Sequence, residues 1–224
     1  MKTTEFEIKH IGRYEALKGL ADNFNKKVNA VLDRTITFRT DYLDKDNALQ
    51  NAGFSLRYRP ATNDYDESFE LKAIGGEVDG ISARLEIEGR GGVTKQETYE
   101  RLLNHPAWPD GVPKLKLEDT EILFSTVVTR REIQADLELS TGRALIEFCF
   151  DDIAYHNKHG DPCGYENETE LEIKKMYRLG VQEPATAQDM KEVLDWYQGF
   201  EALREADLVM HTVSKADRAR RYVK

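Results

Sequence analysis

Glu5-Phe6-Glu7-Ile8-Lys9 sets two carboxylates and an ammonium two residues apart, with apolar residues between them. Successive side chains of a β-strand point to opposite faces, so Glu5, Glu7 and Lys9 share one face and Phe6 and Ile8 the other. Carboxylate oxygens suit hard divalent cations such as Mg²⁺ or Mn²⁺, and a nearby ammonium suits a phosphate oxygen. The same pattern also makes a plain half-solvated antiparallel strand. Glu170-Leu171-Glu172-Ile173-Lys174 repeats it far along the chain, so one copy decides little.

Other stretches put charge on one strand face in the same way. Arg57 and Arg59 flank Tyr58, and two arginines side by side repel unless an anion lies between or opposite them; the planar guanidinium fork fits phosphate and carboxylate oxygens. Glu70 aligns with Lys72, and Arg84 with Glu86 and Glu88. Glu147, Cys149 and Asp151 share a face, as do Glu166, Glu168, Glu170, Glu172 and Lys174. Arg130 and Arg131 must point to opposite faces of their strand. Gly75, Gly76 and Gly80 mark a loop, but the spacing and the Lys-Ser/Thr of a phosphate-binding P-loop are missing.

The elements that position these residues are mostly strands. Alternation predicts strands over 4–9, 34–39, 54–59, 68–72, 83–88, 122–129, 129–134, 144–151 and 166–174. Leu17, Leu20, Phe24, Val28 and Val31 recur at helical spacing and predict a helix over 13–32. Shorter and longer helices are predicted over 94–104 and 186–208, the latter from Met190, Val193, Leu194, Tyr197, Phe200 and Leu203. Arg218, Arg220, Arg221 and Lys224 read as a solvated basic end.

The 224 residues are 40% hydrophobic and 33% charged, enough for one large domain with a core, read as a single domain over 1–224. A net charge of −9 argues against broad binding to nucleic acid or an anionic membrane, and no apolar run reaches the length of a membrane span. Cys149 and Cys163 lack metal-ligand spacing, which points to a reduced, cytoplasmic protein. Strands with one apolar and one charged face form either an open sheet with a wet side or a barrel with a polar lumen, and closure removes exposed edges. The fold class is therefore α+β, mainly antiparallel β.

In this order the pieces resemble the CYTH family of triphosphate tunnel metalloenzymes. Glu5-x-Glu7-x-Lys9 matches the family's N-terminal signature, and Gly53-Phe-Ser-Leu-Arg57-Tyr-Arg59 its G-x-x-L-R-x-R strand. Glu70-Leu-Lys72, Arg131, Phe150-Asp151, Glu168-Thr-Glu170-Leu-Glu172-Ile-Lys174 and Ser214-Lys215 match later pieces. The segment Asp41-Tyr-Leu-Asp44-Lys departs from the family in lacking a threonine. The resemblance implies a closed eight-stranded β tunnel with flanking helices that hydrolyses a triphosphate, inorganic tripolyphosphate first. Class IV adenylyl cyclase, thiamine triphosphatase and a non-catalytic polyphosphate- or nucleotide-binding module are the alternatives. It implies phosphate contacts from Lys9, Arg57, Arg59, Lys72, Arg84, Arg131 and Lys215. Mg²⁺ or Mn²⁺ would sit on Glu5, Glu7, Asp151, Glu168 and Glu170, with Glu170/Glu172 as the other pair on that strand. Glu5, Glu7 and Lys9 would be catalytic. The partner is a small-molecule triphosphate, with neither nucleic acid nor membrane; a homodimer stays open.

Overall fold

The structure, a computed structural model, describes residues 3–74, 77–78, 81–200, 203, 208–210 and 213–223, and of residues 3–5 and 77–78 the backbone alone. The glycine-marked loop at Gly75, Gly76 and Gly80 lies outside the described residues, as does Lys224. Eight strands form a closed ring: β1 (Thr3–Ile11), β2 (Ala30–Asp44), β3 (Phe54–Arg59), β4 (Ser68–Ala73), β6 (Ile81–Arg90), β7 (Glu121–Leu139), β8 (Gly142–Asn157) and β9 (Pro162–Arg178). The order around the ring is β1-β6-β4-β3-β2-β7-β8-β9, and β9 pairs back onto β1. Every pairing is antiparallel. Short strands β5 (Glu77–Val78), β10 (Val181–Glu183) and β11 (Val209–Met210) extend β6, β9 and β1. The helices are α1 (Tyr14–Lys27), α2 (Ala48–Asn51), α3 (Lys95–Leu103), α4 (Ala187–Gln198) and α5 (Lys215–Ala219). None of the described helices is long and apolar enough to cross a membrane.

Register decides which residues look inward. Residues directly opposite on paired strands share a face. Lys9 lies opposite Glu170, Glu170 opposite Cys149, Cys149 opposite Glu132, and Glu132 opposite Arg34. The next row runs Ile11, Glu168, Asp151, Arg130 and Ile36. On the far wall, Tyr42, Arg57, Glu70 and Glu88 form one row, and Ser55, Lys72 and Glu86 another. The charged alternation of the sequence is thus the inner wall.

The outer face carries the aliphatic side chains, and helices cover it. Ile8, Ile133, Ile146, Phe148 and Leu171 are buried against Leu17, Leu20 and Phe24 of α1 and Met190, Val193 and Tyr197 of α4. Phe24 stacks on Phe148, with ring centroids 4.6 Å apart. A second layer buries Leu56, Phe69, Leu71 and Ile87 under Tyr99 and Leu102 of α3. Thr94 caps α3 by accepting a hydrogen bond from the Glu97 amide. Gly89 lets α3 lie on β6, because a Cβ there would come within 2.5 Å of the Leu102 amide nitrogen.

A third apolar cluster lies inside the ring. Ile36, Phe38, Tyr42, Phe124, Val128, Ile153 and Tyr155 face inward and pack against Ala216 and Ala219 of α5. The lumen is therefore polar over part of its length only, and α5 fills the rest. The helix read over 13–32 stops at Lys27, and Val31 belongs to β2, because strand pairing with β7 from Ala30 onward competes with helical spacing. The helix read over 186–208 ends at Gln198, with Gly199 at its C-cap.

Candidate active site

Three cations and four carboxylates interlock on the wall made by β1, β7, β8, β9 and α5. The Lys9 ammonium is 2.9 Å from Glu7 Oε1 and 3.0 Å from Glu170 Oε1. Arg130 donates through Nε and a terminal nitrogen to both Asp151 oxygens at 2.7 Å, and the same nitrogen reaches Glu170 at 2.8 Å. The Lys215 ammonium lies 3.0 Å from Asp151 and 3.0 Å from Glu170, and touches Glu168. Asp151, Glu168 and Glu170 each offer an oxygen within 4.8 Å of the others. Arg84 holds Glu7 from the β6 side at 2.6 Å.

Across the lumen, Glu70 sits between Arg57 at 3.7 Å and Arg59 at 3.3 Å, and Lys72 meets Glu86 at 2.9 Å. Aromatic rings carry the guanidinium groups: Arg59 lies 4.7 Å over Phe38, Arg130 5.6 Å over the same ring, and Arg57 5.7 Å over Tyr42. Between the two walls is a cavity of about 720 Å³ lined by Lys9, Arg57, Arg59, Lys72, Arg130 and Lys215 together with Glu70, Glu86, Glu170 and Glu172. That volume is within the usual range for a small-ligand site.

Burial opposes charge on these groups, but their partners outweigh it. Burial works to raise the Glu170 carboxyl, yet Lys215, Lys9 and Arg130 hold it well below the usual carboxylate range. Burial likewise works to lower the Lys215 ammonium, and Glu168, Glu170 and Asp151 hold it well above its ordinary value. Next to this cluster, Gln134 donates to both Glu132, at 2.8 Å, and Glu147, at 2.6 Å. Burial, then the neighbouring Glu147, raises the Glu132 carboxyl. Burial also works against ionised Glu147, but Lys174 and the hydrogen bonds from Glu132 and Gln134 bring it down to about 2. Glu132 is thus the member of the pair that takes up a proton first. The Cys149 thiol, on the same wall, is pushed well up by burial.

The structure brings Glu7, Lys9, Arg57, Arg59, Lys72, Arg84, Asp151, Glu168, Glu170 and Lys215 onto the inner wall. The Glu5 side chain lies outside the description, though its backbone pairs with Arg84. Arg131 does not face the lumen: it ion-pairs on the outer surface with Asp22, at 2.5 Å, and Asp33, at 2.9 Å. Arg130 takes the inner position because its partner across β8 is Asp151. Of the two carboxylate pairs open on β9, Glu168 and Glu170 join Asp151, while Glu172 lies opposite Glu7 and beside Lys174. Arg218 is no solvated tail residue. It is 1% exposed, donates to Glu166 at 2.7 Å and touches Glu168.

No family model matches the chain, and no curated protein matches it either. Solved structures do. HpAC1 of Hippeastrum, a candidate adenylyl cyclase with a dominant triphosphatase activity, superposes with a TM-score of 0.60 at 16% identity, over 98% of this chain and 97% of that one. A conserved hypothetical protein of Pyrococcus furiosus gives 0.51 at 14% identity, over 95% and 98% of the two chains. A chain of the Schizosaccharomyces pombe Mediator head module gives 0.50 at 8% identity, over 93% and 100%. The likeness is one of fold, the closed eight-stranded antiparallel barrel described above. A subunit of a large assembly shares it, so the fold alone does not fix an activity.

Proposed function

We propose that the protein hydrolyses the terminal phosphoanhydride of a triphosphate, inorganic tripolyphosphate first, with Mg²⁺ or Mn²⁺. The observation that carries this reading is the convergence of Lys9, Arg57, Arg59, Lys72, Arg130 and Lys215 on one cavity. HpAC1, similar in fold, has a dominant triphosphatase activity, which supports the same reading here.

The lumen cations are each matched by a carboxylate, so an entering polyanion brings charge that the wall alone does not offset. Divalent ions offset it. Asp151, Glu168 and Glu170 are the oxygen donors that would hold one, with Glu7 and Glu5 on the neighbouring strand, and hard carboxylate oxygens fit Mg²⁺ or Mn²⁺. Bound there, such an ion supplies charge neutralisation and polarises water. The protein's own part is positioning. Arg57, Arg59, Lys72 and Arg130 bind non-bridging oxygens, Glu70 keeps the two β3 arginines apart and aimed, and Phe38 supports two guanidinium groups. Lys9 and Lys215 offset charge that grows on the departing oxygen. The lumen rings Phe38 and Tyr42 lie under guanidinium groups rather than open to an organic base, which favours the inorganic substrate. Two free cysteines suit a reducing compartment such as the cytoplasm.

The test is incubation with tripolyphosphate, ATP and thiamine triphosphate, each with Mg²⁺, with Mn²⁺ and with a chelator, and identification of products. Orthophosphate from tripolyphosphate that vanishes with the chelator is the expected result. Cyclic AMP and pyrophosphate from ATP would replace hydrolysis by cyclisation. Tight binding without turnover would make the chain a binding module.

A further inference from the structure

One aromatic residue outside the strands reaches the inner wall. Between β3 and β4, residues 61–64 and 66 are exposed, whereas Tyr65 is half-buried. Thr62 fixes the turn. Its hydroxyl accepts from the amides of Asp64, at 3.2 Å, and Tyr65, at 3.1 Å, and its own amide donates to the Tyr65 carbonyl at 2.9 Å. The Tyr65 ring meets Phe38 of β2 edge-on, with centroids 5.6 Å apart and planes at 83°. Its hydroxyl donates to Glu132 of β7 at 3.3 Å, and Glu132 also takes two donors of Arg34 from β2, at 3.2 and 3.0 Å. Burial, then the charge on Glu132, pushes the hydroxyl up to about 12, so it stays a donor. The loop is thereby tied to two strands it does not join.

The two rings make a corner, and Arg59 sits in it. Its guanidinium lies 4.7 Å from the Phe38 centroid and 5.6 Å from that of Tyr65, with Glu70 at 3.3 Å. Arg59 Nε is buried without a hydrogen-bond partner, a costly state that an anion's oxygen would relieve. Arg59 and Phe38 line the cavity and Tyr65 does not, so any effect of Tyr65 on a ligand there passes through its neighbours. Arg57, two residues away, lies over Tyr42 instead. Resting on the triphosphatase reading, we propose that Tyr65 is a positioning residue: its ring closes the corner that holds Arg59 aimed at a phosphate oxygen. With the ring gone, Arg59 is open on one side and must be ordered anew each time a triphosphate binds. That raises KM and leaves kcat nearly as it was, because the contact is the same in ground and transition states.

The probe is tripolyphosphate with Mg²⁺. The readouts are KM and kcat by orthophosphate release and, where nothing turns over, Kd by calorimetry. Tyr65→Ala is expected to raise KM about tenfold, the scale of a desolvated cation–π contact. Tyr65→Phe keeps the ring and should stay within about threefold of the parent. Tyr65→Leu keeps apolar bulk without a ring and should match Tyr65→Ala; it reads the same contact if the alanine variant does not fold. A double-mutant cycle separates positioning from general support of the fold. Added to Arg59→Ala, Tyr65→Ala should cost less than about threefold more in KM; added to Arg57→Ala, it should cost the full tenfold. An unchanged KM in both Tyr65→Ala and Tyr65→Leu, a Tyr65→Phe as weak as Tyr65→Ala, or the full loss on top of Arg59→Ala would each overturn the role of Tyr65 and leave the triphosphatase intact. A parent protein that binds tripolyphosphate without turnover would remove the triphosphatase reading, and the same cycle in Kd would still decide on Tyr65. One that neither binds nor hydrolyses it would remove both.

Discussion

Arg130 and Arg131 are adjacent, chemically identical, and on opposite sides of the wall. Parity alone says they differ; only the partner strand says which is inside. Asp151 opposite Arg130 settles it, and a bidentate pair forms there. Arg130→Ala is expected to lower kcat/KM for tripolyphosphate by about a hundredfold or more, as loss of a charge-stabilising donor does. It should also cost about 3 kcal/mol in stability, because Asp151 loses a buried partner. Arg131→Ala removes two surface pairs, each worth about 1 kcal/mol or less, with turnover unchanged. Steady-state kinetics and urea unfolding of the two variants check both statements. His10 gives a separate prediction. It is 6% exposed on the outer face of β1, beside Tyr197 of α4, and burial lowers its pKa to about 4. A histidine depressed in the folded state contributes stability present above about pH 6.5 and lost as pH falls toward 4. The loss amounts to about 3 kcal/mol from this group. Urea unfolding between those pH values should show it, and His10→Gln should flatten the slope.

At the scale of elements, strands were easier to read than helix ends. The alternation in β8 and β9 holds between two register shifts, at Leu145/Ile146 and at Tyr155/His156, and within it Glu147, Cys149, Asp151 and Glu168 share the inner face. β7 was harder: read as two strands, 122–129 and 129–134, it is one strand from Glu121 to Leu139. Of the tail, Arg220 and Arg221 are exposed as read, but Arg218 was misread because charge suggests solvent, whereas Ser214 caps a short helix that carries Arg218 inward and whose alanines fit between aromatic rings. Two glycines test the contacts between elements. Gly89→Ala drives a Cβ to within 2.6 Å of the Thr98 carbonyl on α3, a backbone atom that cannot step aside. It should cost about 2–4 kcal/mol in unfolding experiments. Gly164→Ala meets a side chain instead, so Tyr222 must move and α5 with it. Turnover is expected to fall while the melting temperature changes by only a few degrees, about 1 kcal/mol of stability.

For the whole molecule, charge on one face of so many strands left an open sheet and a closed barrel both possible, and only the resemblance to a known family implied closure. The plugged end was not readable, since it depends on which residues meet far apart in sequence. The same closure has a consequence for how the chain comes to be folded. β1 precedes the other strands, and its two partners within the ring are β6, residues 81–90, and β9, residues 162–178. On the ribosome the Lys9 end of β1 therefore waits for nearly the whole chain before Glu170 arrives. Contacts of such long sequence separation slow folding into the millisecond-to-second range or beyond. Until the ring shuts, β1 and β9 are open edges of equal and matching pattern, and each can accept its counterpart from another copy. Refolding at high protein concentration is thus expected to yield exchanged dimers in which one chain's β1 completes its neighbour's barrel, and refolding at high dilution the closed monomer.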